Sequence, residues 1–482
     1  MPFASVPRTA NELAELEASY RPFQSAEAWS GLRVDTPRWS RFAHILARRR
    51  GAAGESAWAD AVDRLLRAAA LDSAALDGLF PANPELTTMV LGSSISGTDG
   101  DEPADAVEVV AECHRRALVL ASEAAANGRA VDSHLIAVLQ DVITESQATY
   151  TVTTEHGDSV EVDLPRRQYK PVSNYLLLPS GGLAAFTPAS MVAAEMTRLS
   201  AELSSTQFAA LHPAIQAAYA HYALTAIHPF ADGNGRLART IASIFLMRSA
   251  GVPLVVFADQ WPGYYQALHE ATQASDPQAL VDFVSVAAMS VLDLASNLVA
   301  RPLPGTLAVD KMRRIAQARA GSEEVSDSAA APSPAALDEA ASGLLQTLSI
   351  ELREAFVSPP RGIRIAITAS PTVRAGESAY RPADMGIAGT AVVRLAIRTS
   401  GREVPGSEAA ATNLEFVALA STLPGDQLPV AVRETLTGEL LEVALDDAYP
   451  LIREPAALRI RLWVQRLAAE TLDRLTPAQP SS

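Results

Sequence analysis

The chain has 482 residues, of which 48% are hydrophobic, and its formal net charge is −16. This length predicts more than one domain, and the hydrophobic content excludes a globally disordered chain. The acidic balance excludes a protein-wide basic surface, so we expect no direct nucleic-acid binding.

Targeting signals and cysteine chemistry are predicted to be absent. The first residues lack a basic region followed by an apolar run, and no window approaches 18 uninterrupted apolar residues. Neither a signal peptide nor a membrane span is therefore expected. Cys113 is the single cysteine, which excludes an internal disulfide and a cysteine zinc site. These features are typical of a soluble, cytoplasmic, bacterial protein.

The first 145 residues read as helices. Residues 58–80 carry apolar side chains at helical spacing, and a Pro-containing break and a Gly/Ser stretch follow at 81–103. Residues 104–128 resume the helical pattern and end at Asn127-Gly128, a plausible C-terminal stop. Asp132 or Ser133 is placed to cap the next helix.

Two hairpins are predicted between residues 148 and 188, and helix thereafter. TYTVTTEHGDSVEVDL alternates around a turn at His156-Gly157, and NYLLLPSGGLAAF repeats this pattern around Pro179–Gly182. Helix then dominates from Ser190 to about Leu298. We expect His212-Pro213 to start one helix and Gly251 with Pro253 to end the next.

The last third of the chain has a different character. Residues 317–343 are rich in Ala, Ser, Pro and acidic residues, which is typical of a linker. Beyond them, GIRIAITAS, TAVVRLAIRTS and NLEFVALAS predict strands, and ALRIRLWVQRLAAETLDRL predicts a closing helix. The pattern indicates a separate α/β domain whose role the sequence does not reveal.

The loop HPFADGNGRLAR, residues 228–239, holds more polar and flexible residues than a helix connection needs. Gly233 and Gly235 lead into a helix start, where glycines let backbone N–H groups approach an anion. Arg236 and Arg239 are three residues apart, so both guanidinium groups lie on one helix face beside this cradle.

Three further side chains of the loop fit phosphoryl or nucleotidyl transfer. Asp232 supplies a hard oxygen for Mg²⁺, the ion that usually bridges nucleotide phosphates. His228, with an ordinary pKa near ~6.5, suits a base that takes a proton from an attacking hydroxyl. Phe230 is interpreted as an apolar plug that pins the loop. We favour capping or packing for His212 and His221 over a metal site shared with His228.

The same stretch resembles the Fic family, whose pattern is His-x-Phe-x-Asp/Glu-Gly-Asn-Gly-Arg-x-x-Arg. Every specified position matches, and the resemblance covers roughly residues 85–300. It implies a mainly α fold, with a Fic-type helical core and a β-hairpin flap, followed here by the separate α/β C-terminal domain. The resulting domain prediction is an N-terminal helical segment at 1–90, the Fic domain at 91–304, a linker at 305–345 and the C-terminal domain at 346–482.

The resemblance also implies a function. Fic proteins mostly transfer AMP from Mg-ATP to a Ser, Thr or Tyr hydroxyl of a target protein, with His228 as base and Asp232 holding Mg²⁺. Nucleotide contacts are then expected from Gly233, Asn234, Gly235, Arg236, Arg239, Tyr264 and Leu268. Tyr264 and Leu268 would line the adenine pocket, and Thr272 replaces an Asn of many relatives. A flap at 170–188 would clamp the target by adding a strand.

Many Fic proteins restrain themselves with a Ser/Thr-x-x-x-Glu-Gly/Asn helix, whose Glu pairs with the second motif arginine. Here GSSISGT places Ser96 at the Glu position, and Pro103 disfavours helix at Glu102. Serine cannot form the ion pair with Arg239, so weak or absent self-restraint is expected.

Other readings stay open. The same cradle could take UTP, GTP or a phosphocholine nucleotide. The protein could also be a toxin-like or partner-binding protein in which catalysis is secondary. The intact Gly-Asn-Gly argues against the Doc-like branch, whose loop departs from it and which phosphorylates its target.

Overall fold

The computed structural model describes residues 15–83, 87, 90–91, 106–153, 159–177, 183–274 and 276–300, and part of the chain beyond. In that last part it describes residues 339, 343–344, 346–352, 363–373, 390–399, 412–420, 430–434, 440–443 and 456–475. The chain divides into two compact units, Met1–Ala300 and Arg301–Ser482.

The first unit is mainly helical, as predicted. Its helices are α1 (Thr36–Ala53), α2 (Glu55–Leu76), α3 (Ala106–Ala126), α4 (Ser133–Ile143), α5 (Val192–Leu203), α6 (Thr206–Ala209), α7 (Pro213–Ile227), α8 (Asn234–Ala250), α9 (Trp261–Thr272) and α10 (Pro277–Ala300). Two antiparallel hairpins lie between α4 and α5: β1 (Thr149–Thr153) with β2 (Ser159–Asp163), and β3 (Tyr175–Leu177) with β4 (Leu183–Ala185). Both predicted hairpins are therefore present.

Helix α7 forms the centre of this unit. Pro213 occupies its first turn, and the Nδ1 atom of His212 accepts a hydrogen bond from the Ala214 N–H at 3.2 Å. Eleven of its fifteen residues are buried. The sequence predicted one buried face, but the helix is apolar on all sides, as expected of a helix surrounded by others. Helices α8 and α10 pack against it.

The start of α4 and the end of α8 lie at the residues predicted from the sequence. Asp132 caps α4 by accepting a hydrogen bond from the Leu135 N–H at 2.8 Å. Gly251 ends α8 in the left-handed conformation, with φ of 74°. A Cβ atom there would lie 2.9 Å from the Trp58 ring, so packing also favours glycine.

One described helix, α10, is apolar and long enough to cross a membrane by composition alone. Of its most apolar window, 78% is buried inside the structure. Helix α10 packs against α1, α2, α7 and α9, which is the environment of a core helix.

The second unit contains a five-stranded antiparallel sheet with neighbouring strands in chain order. The strands are β5 (Ile363–Val373), β6 (Thr390–Thr399), β7 (Thr412–Ala420), β8 (Val430–Glu434) and β9 (Leu440–Val443), and helix α11 (Ala456–Leu475) follows. Three strands and the closing helix were predicted, and β8 and β9 were not. The predicted α/β character is corrected to α+β, because successive antiparallel strands replace the alternation of strand and helix.

Several predicted features lie outside the described residues. They are the upstream segment around Ser96, the turns at His156-Gly157 and Pro179–Gly182, and most of the linker at 305–345. The domain boundaries stay a prediction. Helices α1 and α2, assigned to a separate N-terminal segment, belong to the same compact unit as α7 and α8.

Candidate functional site

The loop between α7 and α8 is held at both ends by left-handed backbone. His228 ends α7 with φ of 50°, and Gly233 precedes α8 with φ of 80°. A non-glycine residue in this region costs about 1–3 kcal/mol, which the surrounding contacts must offset. Phe230 is buried, as predicted for a plug, and packs near Tyr169. The strained conformation is thus anchored by a buried aromatic ring.

Asn234 locks the loop from inside. Its Oδ1 accepts a hydrogen bond from the Phe230 N–H at 3.0 Å, and its Nδ2 donates to the Phe230 carbonyl at 2.8 Å. Asn234 was predicted to contact phosphate. In this structure its buried amide stabilises the loop, so a phosphate contact is left to the backbone at the start of α8.

The start of α8 holds a carboxylate from another part of the chain. Oδ2 of Asp77, the residue that follows α2, accepts hydrogen bonds from the Arg236 N–H at 3.3 Å and from Arg236 Nε at 3.1 Å. A Cβ atom added at Gly235 would lie 2.6 Å from Asp77 Oδ1. The helix start therefore binds an anionic group at close range, which is the property predicted for it.

The second arginine of the loop, Arg239, is bound by residues at the C-terminal end of α2. Arg239 Nη2 lies 2.6 Å from Asp77 Oδ1, and its Nε donates to the Ser73 hydroxyl at 2.6 Å. Its Nη2 also donates to the Ser73 carbonyl at 2.9 Å, and its Nη1 donates to the Tyr264 hydroxyl at 3.2 Å. Ser96, which was expected to leave Arg239 without the ion pair of the inhibitory helix, lies outside the described residues. Asp77 supplies an acidic partner for Arg239.

The charges in this cluster are strongly coupled. Burial alone would raise the pKa of Asp77, but the guanidinium groups of Arg239 and Arg236 outweigh it and lower the pKa to about 2. Burial opposes the charge on Arg239 as well, yet Asp77 and Tyr264 raise its pKa. Asp77 thus lies against two buried positive charges, and Asp232 adds a second carboxylate at 3.9 Å from Arg236.

Gln147 joins the predicted metal ligand to the first arginine. Its Nε2 donates to Asp232 Oδ2 at 2.8 Å, and its Oε1 accepts from Arg236 Nη2 at 2.9 Å. Asp232 Oδ1 accepts from the Gly233 N–H at 2.6 Å. Sequence reasoning missed Gln147, because only the folded chain brings the segment after α4 to the loop.

The residues present fit a magnesium ion that is completed by phosphate oxygens. The described residues contain no group of three or more His, Cys, Asp or Glu side chains that could hold a metal by themselves. Mg²⁺ commonly takes one or two carboxylates together with substrate phosphates, and Asp232 supplies one carboxylate at the rim of the cradle.

His228 is enclosed by aromatic and basic neighbours. Its ring stacks on Phe186 with centroids 4.1 Å apart and an interplanar angle of 21°. Burial and the Lys170 ammonium lower the pKa of His228 to about 3, although Asp77 and the Thr225 backbone act in the opposite direction. The imidazole is therefore neutral at physiological pH, which is the protonation state from which a general base acts.

The predicted adenine pocket involves Tyr264 and Leu268 of α9. Tyr264 is buried, its ring lies against Tyr265 and Phe283, and its hydroxyl contacts His221 Nε2 at 2.9 Å. The adenine pocket lined by Tyr264 and Leu268 stays a prediction, and in the structure the Tyr264 hydroxyl accepts a hydrogen bond from Arg239. Leu268, one turn further along α9, is half-buried.

Two more side chains of α9, Thr272 and Tyr265, make hydrogen bonds close to the site. The Thr272 hydroxyl donates to the Leu268 carbonyl at 2.8 Å, within its own helix. The Tyr265 hydroxyl donates to the Leu76 carbonyl at 2.9 Å, next to Asp77. Helix α9 therefore contacts both the second arginine and the end of α2. His212 caps α7 and His221 packs on Tyr264, as favoured from the sequence.

Gly235→Ala is expected to destabilise the protein by about 1–3 kcal/mol, the usual cost of overpacking. The new methyl carbon would meet Asp77 Oδ1 at 2.6 Å and Arg239 Nη1 at 3.3 Å. Asp77 Oδ1 is held in the ion pair with Arg239 Nη2, and Arg239 Nη1 is held by its hydrogen bond to Tyr264. Gly51→Ala is the matched control, because Gly51 lies in α1 with nothing within 4 Å. It should be neutral or stabilising by about 0.5–1 kcal/mol. Denaturant unfolding compares the two variants, and equal stabilities would contradict the close approach.

Comparison with known proteins finds similarity to Fic proteins. Residues 137–246 match the family described as "Fic/DOC family". A protein named "Protein adenylyltransferase Fic" from Drosophila persimilis is 29% identical over 192 residues, covering 36% of this chain and 36% of that protein. The protein of the same name from Drosophila mojavensis is 34% identical over 139 residues, covering 29% of this chain and 26% of that protein. The chain thus spans about a third of the length of the curated relatives it matches.

Among solved structures, a Fic domain containing signaling protein from Bacteroides thetaiotaomicron has a TM-score of 0.41 at 20% identity, covering 57% of this chain and 97% of that chain. The family match includes α7, α8 and the loop between them, so this part of the chain is a Fic domain. The assignment to the Fic/DOC family therefore applies to residues 137–246 of this chain.

Proposed function

We propose that this protein transfers AMP from Mg-ATP to a hydroxyl group of a target protein. The observation that carries the proposal is the Asp77 carboxylate bound at the start of α8 by two buried arginines. A site that draws a carboxylate away from water in this way is built for an anion, and a polyphosphate carries more charge. The relatives named protein adenylyltransferase support AMP as the transferred group.

The reaction assigns one task to each part of the loop. The α8 start and its arginines hold the phosphates, and Mg²⁺ at Asp232 would neutralise their charge. The target oxygen attacks the α-phosphorus, a new P–O bond forms, and the bond to the β-phosphate oxygen breaks, so pyrophosphate leaves. The hydroxyl proton passes to His228. Because Nδ1 of that ring is buried, Nε2 is the nitrogen available to the hydroxyl.

We propose that Asp77 also restrains this transfer reaction. Its carboxylate occupies the arginines that the nucleotide phosphates need, so ATP must displace it. The low pKa of about 2 gives the direction of any pH effect. The ion pairs stabilise the folded state fully above about pH 4 and are lost only as the pH falls toward 2. Protonation therefore does not release the restraint at neutral pH, and competition by nucleotide has to do so.

The hairpin β3–β4 is proposed to hold the target. Within the described residues it forms a two-stranded sheet, so each strand has one edge without a neighbour. An extended peptide can add to such an edge through backbone hydrogen bonds. Phe186 directly follows β4 and stacks on His228, so a peptide on this hairpin would lie close to the base.

Asp232→Asn should lower nucleotide incorporation by about 10²-fold, the usual cost of removing one group that stabilises transferring charge. Purified protein is incubated with Mg²⁺ and labelled ATP, UTP, GTP or CDP-choline, and mass spectrometry locates the added group. Asp163→Asn, on the exposed strand β2, is the matched control and should retain activity.

The choice of nucleotide donor distinguishes the proposed AMP transfer from the alternative functions. ATP incorporation that depends on Asp232 supports the proposal. Incorporation from UTP, GTP or CDP-choline in its place would replace AMP by another transferred group. No incorporation from any donor, with or without added target lysate, would favour a partner-binding protein and overturn the proposal.

A further inference from the structure

Lys170 is a buried cation that the reaction above does not use. It lies just before the hairpin β3–β4 and is only 3% exposed. Its ammonium donates a hydrogen bond to Asn174 Oδ1 at 2.6 Å, a neutral amide oxygen rather than a carboxylate. Burying an ammonium group on a neutral partner is costly, so this placement needs an explanation.

The backbone of Lys170 attaches the flap to the loop. Its N–H donates to the Pro229 carbonyl at 2.9 Å, directly after His228. Its ammonium lies 5.9 Å from the centre of the Phe186 ring, and that ring stacks on His228 at 4.1 Å. Lys170, Phe186 and His228 therefore form a continuous contact between flap and base.

The surrounding charges belong to separate parts of the chain. Lys170 from the flap and Asp77 from the end of α2 act on the imidazole with opposite signs, and the Thr225 carbonyl adds to the effect of Asp77. Burial lowers the pKa of Lys170 to about 7, and Glu17 from the N-terminal segment opposes this. The ammonium therefore carries its charge below pH 7, including the range near pH 3 in which His228 takes up a proton.

We propose that Lys170 is a positioning residue for the His228 base, which ties the flap to the loop and places an ammonium group beside the imidazole. The proposal rests on the proposed function, since it assigns His228 the role of base. Phe186 transmits the position of the flap to the imidazole ring. The ammonium group opposes a second positive charge on the ring and keeps the imidazole in its neutral form.

The test is the pH profile of transfer by the full chain with ATP as donor. Lys170→Met removes the ammonium, so the pKa of His228 should rise and the acid limb of kcat/KM should move upward by about one pH unit, the usual effect of removing one nearby like charge. Lys170→Arg retains the charge and should leave the limb in place. KM for ATP should change little, because Lys170 lies at the flap and not at the α8 start.

A purely structural role would give a different result. Lys170→Met would then lower the rate equally at all pH values without moving the limb, and that outcome would overturn the proposal. If this variant does not fold, Lys170→Gln preserves a donor to Asn174 without the charge and should show the same shift.

The imidazole can also be titrated directly. NMR of ring-labelled histidine, with the His228 signal assigned from its loss in His228→Gln, should give a higher pKa in Lys170→Met or Lys170→Gln than in the wild type. This measurement needs no turnover, so it decides the role of Lys170 even if no nucleotide is transferred. Absence of transfer would count against the proposed function alone, and an unchanged pKa would count against Lys170 alone.

Discussion

Asp77→Ala should bind Mg-ATP at least ~10-fold more tightly than the wild type and should modify itself faster. The wild-type carboxylate holds Arg236 and Arg239 at 3.1 Å and 2.6 Å, and the nucleotide must break both ion pairs. A difference of ~1.4 kcal/mol in that competition corresponds to a factor of ten. Isothermal titration calorimetry measures the affinity, and mass spectrometry measures the added AMP.

The same variant should be less stable without nucleotide. Removing one partner of a buried ion pair typically costs about 3–5 kcal/mol, because the remaining charge is left unpaired. Mg-ATP should then restore stability by more in Asp77→Ala than in the wild type, since the phosphates supply the missing negative charge. Thermal unfolding with and without Mg-ATP records both effects.

Asp63→Ala is the matched control for this experiment. Asp63 also lies in α2 and also bridges two arginines, Arg67 at 2.7 Å and Arg115 at 3.1 Å, but on a partly exposed surface. Surface ion pairs contribute little, so this variant should lose at most about 1 kcal/mol and bind nucleotide normally. If Asp77→Ala binds Mg-ATP no better than Asp63→Ala, the carboxylate does not restrain the site.

The second large effect is expected for His228→Ala, which should lose transfer by about 10²–10⁴-fold, the contribution of a general base. Nucleotide affinity should be preserved, because the phosphate-binding groups lie at the other end of the loop. Combining His228→Ala with Asp77→Ala gives a background in which the remaining rate can be measured. Single-turnover incorporation and calorimetry report the rate and the affinity separately.

His212→Ala controls for the loss of a histidine from the same part of the fold. His212 caps the start of α7, so the variant should lose about 1 kcal/mol of stability and retain transfer. A parallel fall in affinity and rate in His228→Ala would contradict its assignment as base, since it would indicate a collapsed loop.

The loop was predictable because its signals are local. His228, Phe230 and Gly233 occupy one short stretch, and their plug and turn conformations follow from nearby residues. Helix α7 was recognised from its periodicity, but its burial on all sides depends on the helices around it, which periodicity does not reveal.

The Asp77 carboxylate was missed for two physical reasons. Asp77 lies about 160 residues before Arg236 in the sequence, and only the packing of α2 against α8 brings them together. Asp is also one methylene shorter than the Glu of the expected pattern. The signal nevertheless exists, because Ser73 and Asp77 keep the Ser-x-x-x-acid spacing and Gly78 follows. Allowing either acid in the pattern would have found it.

Long-range contacts also explain the other differences. Gln147 and Lys170 reach the loop from segments with no motif of their own, so their roles depend on tertiary structure. Tyr264 was assigned to the adenine pocket from the family resemblance, which did not reveal its hydrogen bond to Arg239. Strands β8 and β9 are short and carry charged residues, which weakened their alternating signal.

Tyr264 and Tyr265 are sequence neighbours on α9 that reach to different destinations. The first hydroxyl meets Arg239, and the second meets the carbonyl of Leu76, one residue before Asp77. The two tyrosines thus contact both sides of the Asp77–Arg239 ion pair, Tyr264 at the arginine and Tyr265 at the end of α2. A molecule that shifts α9 would move both hydrogen bonds together. Binding against α9 would therefore be coupled to breakage of the ion pair between Asp77 and Arg239.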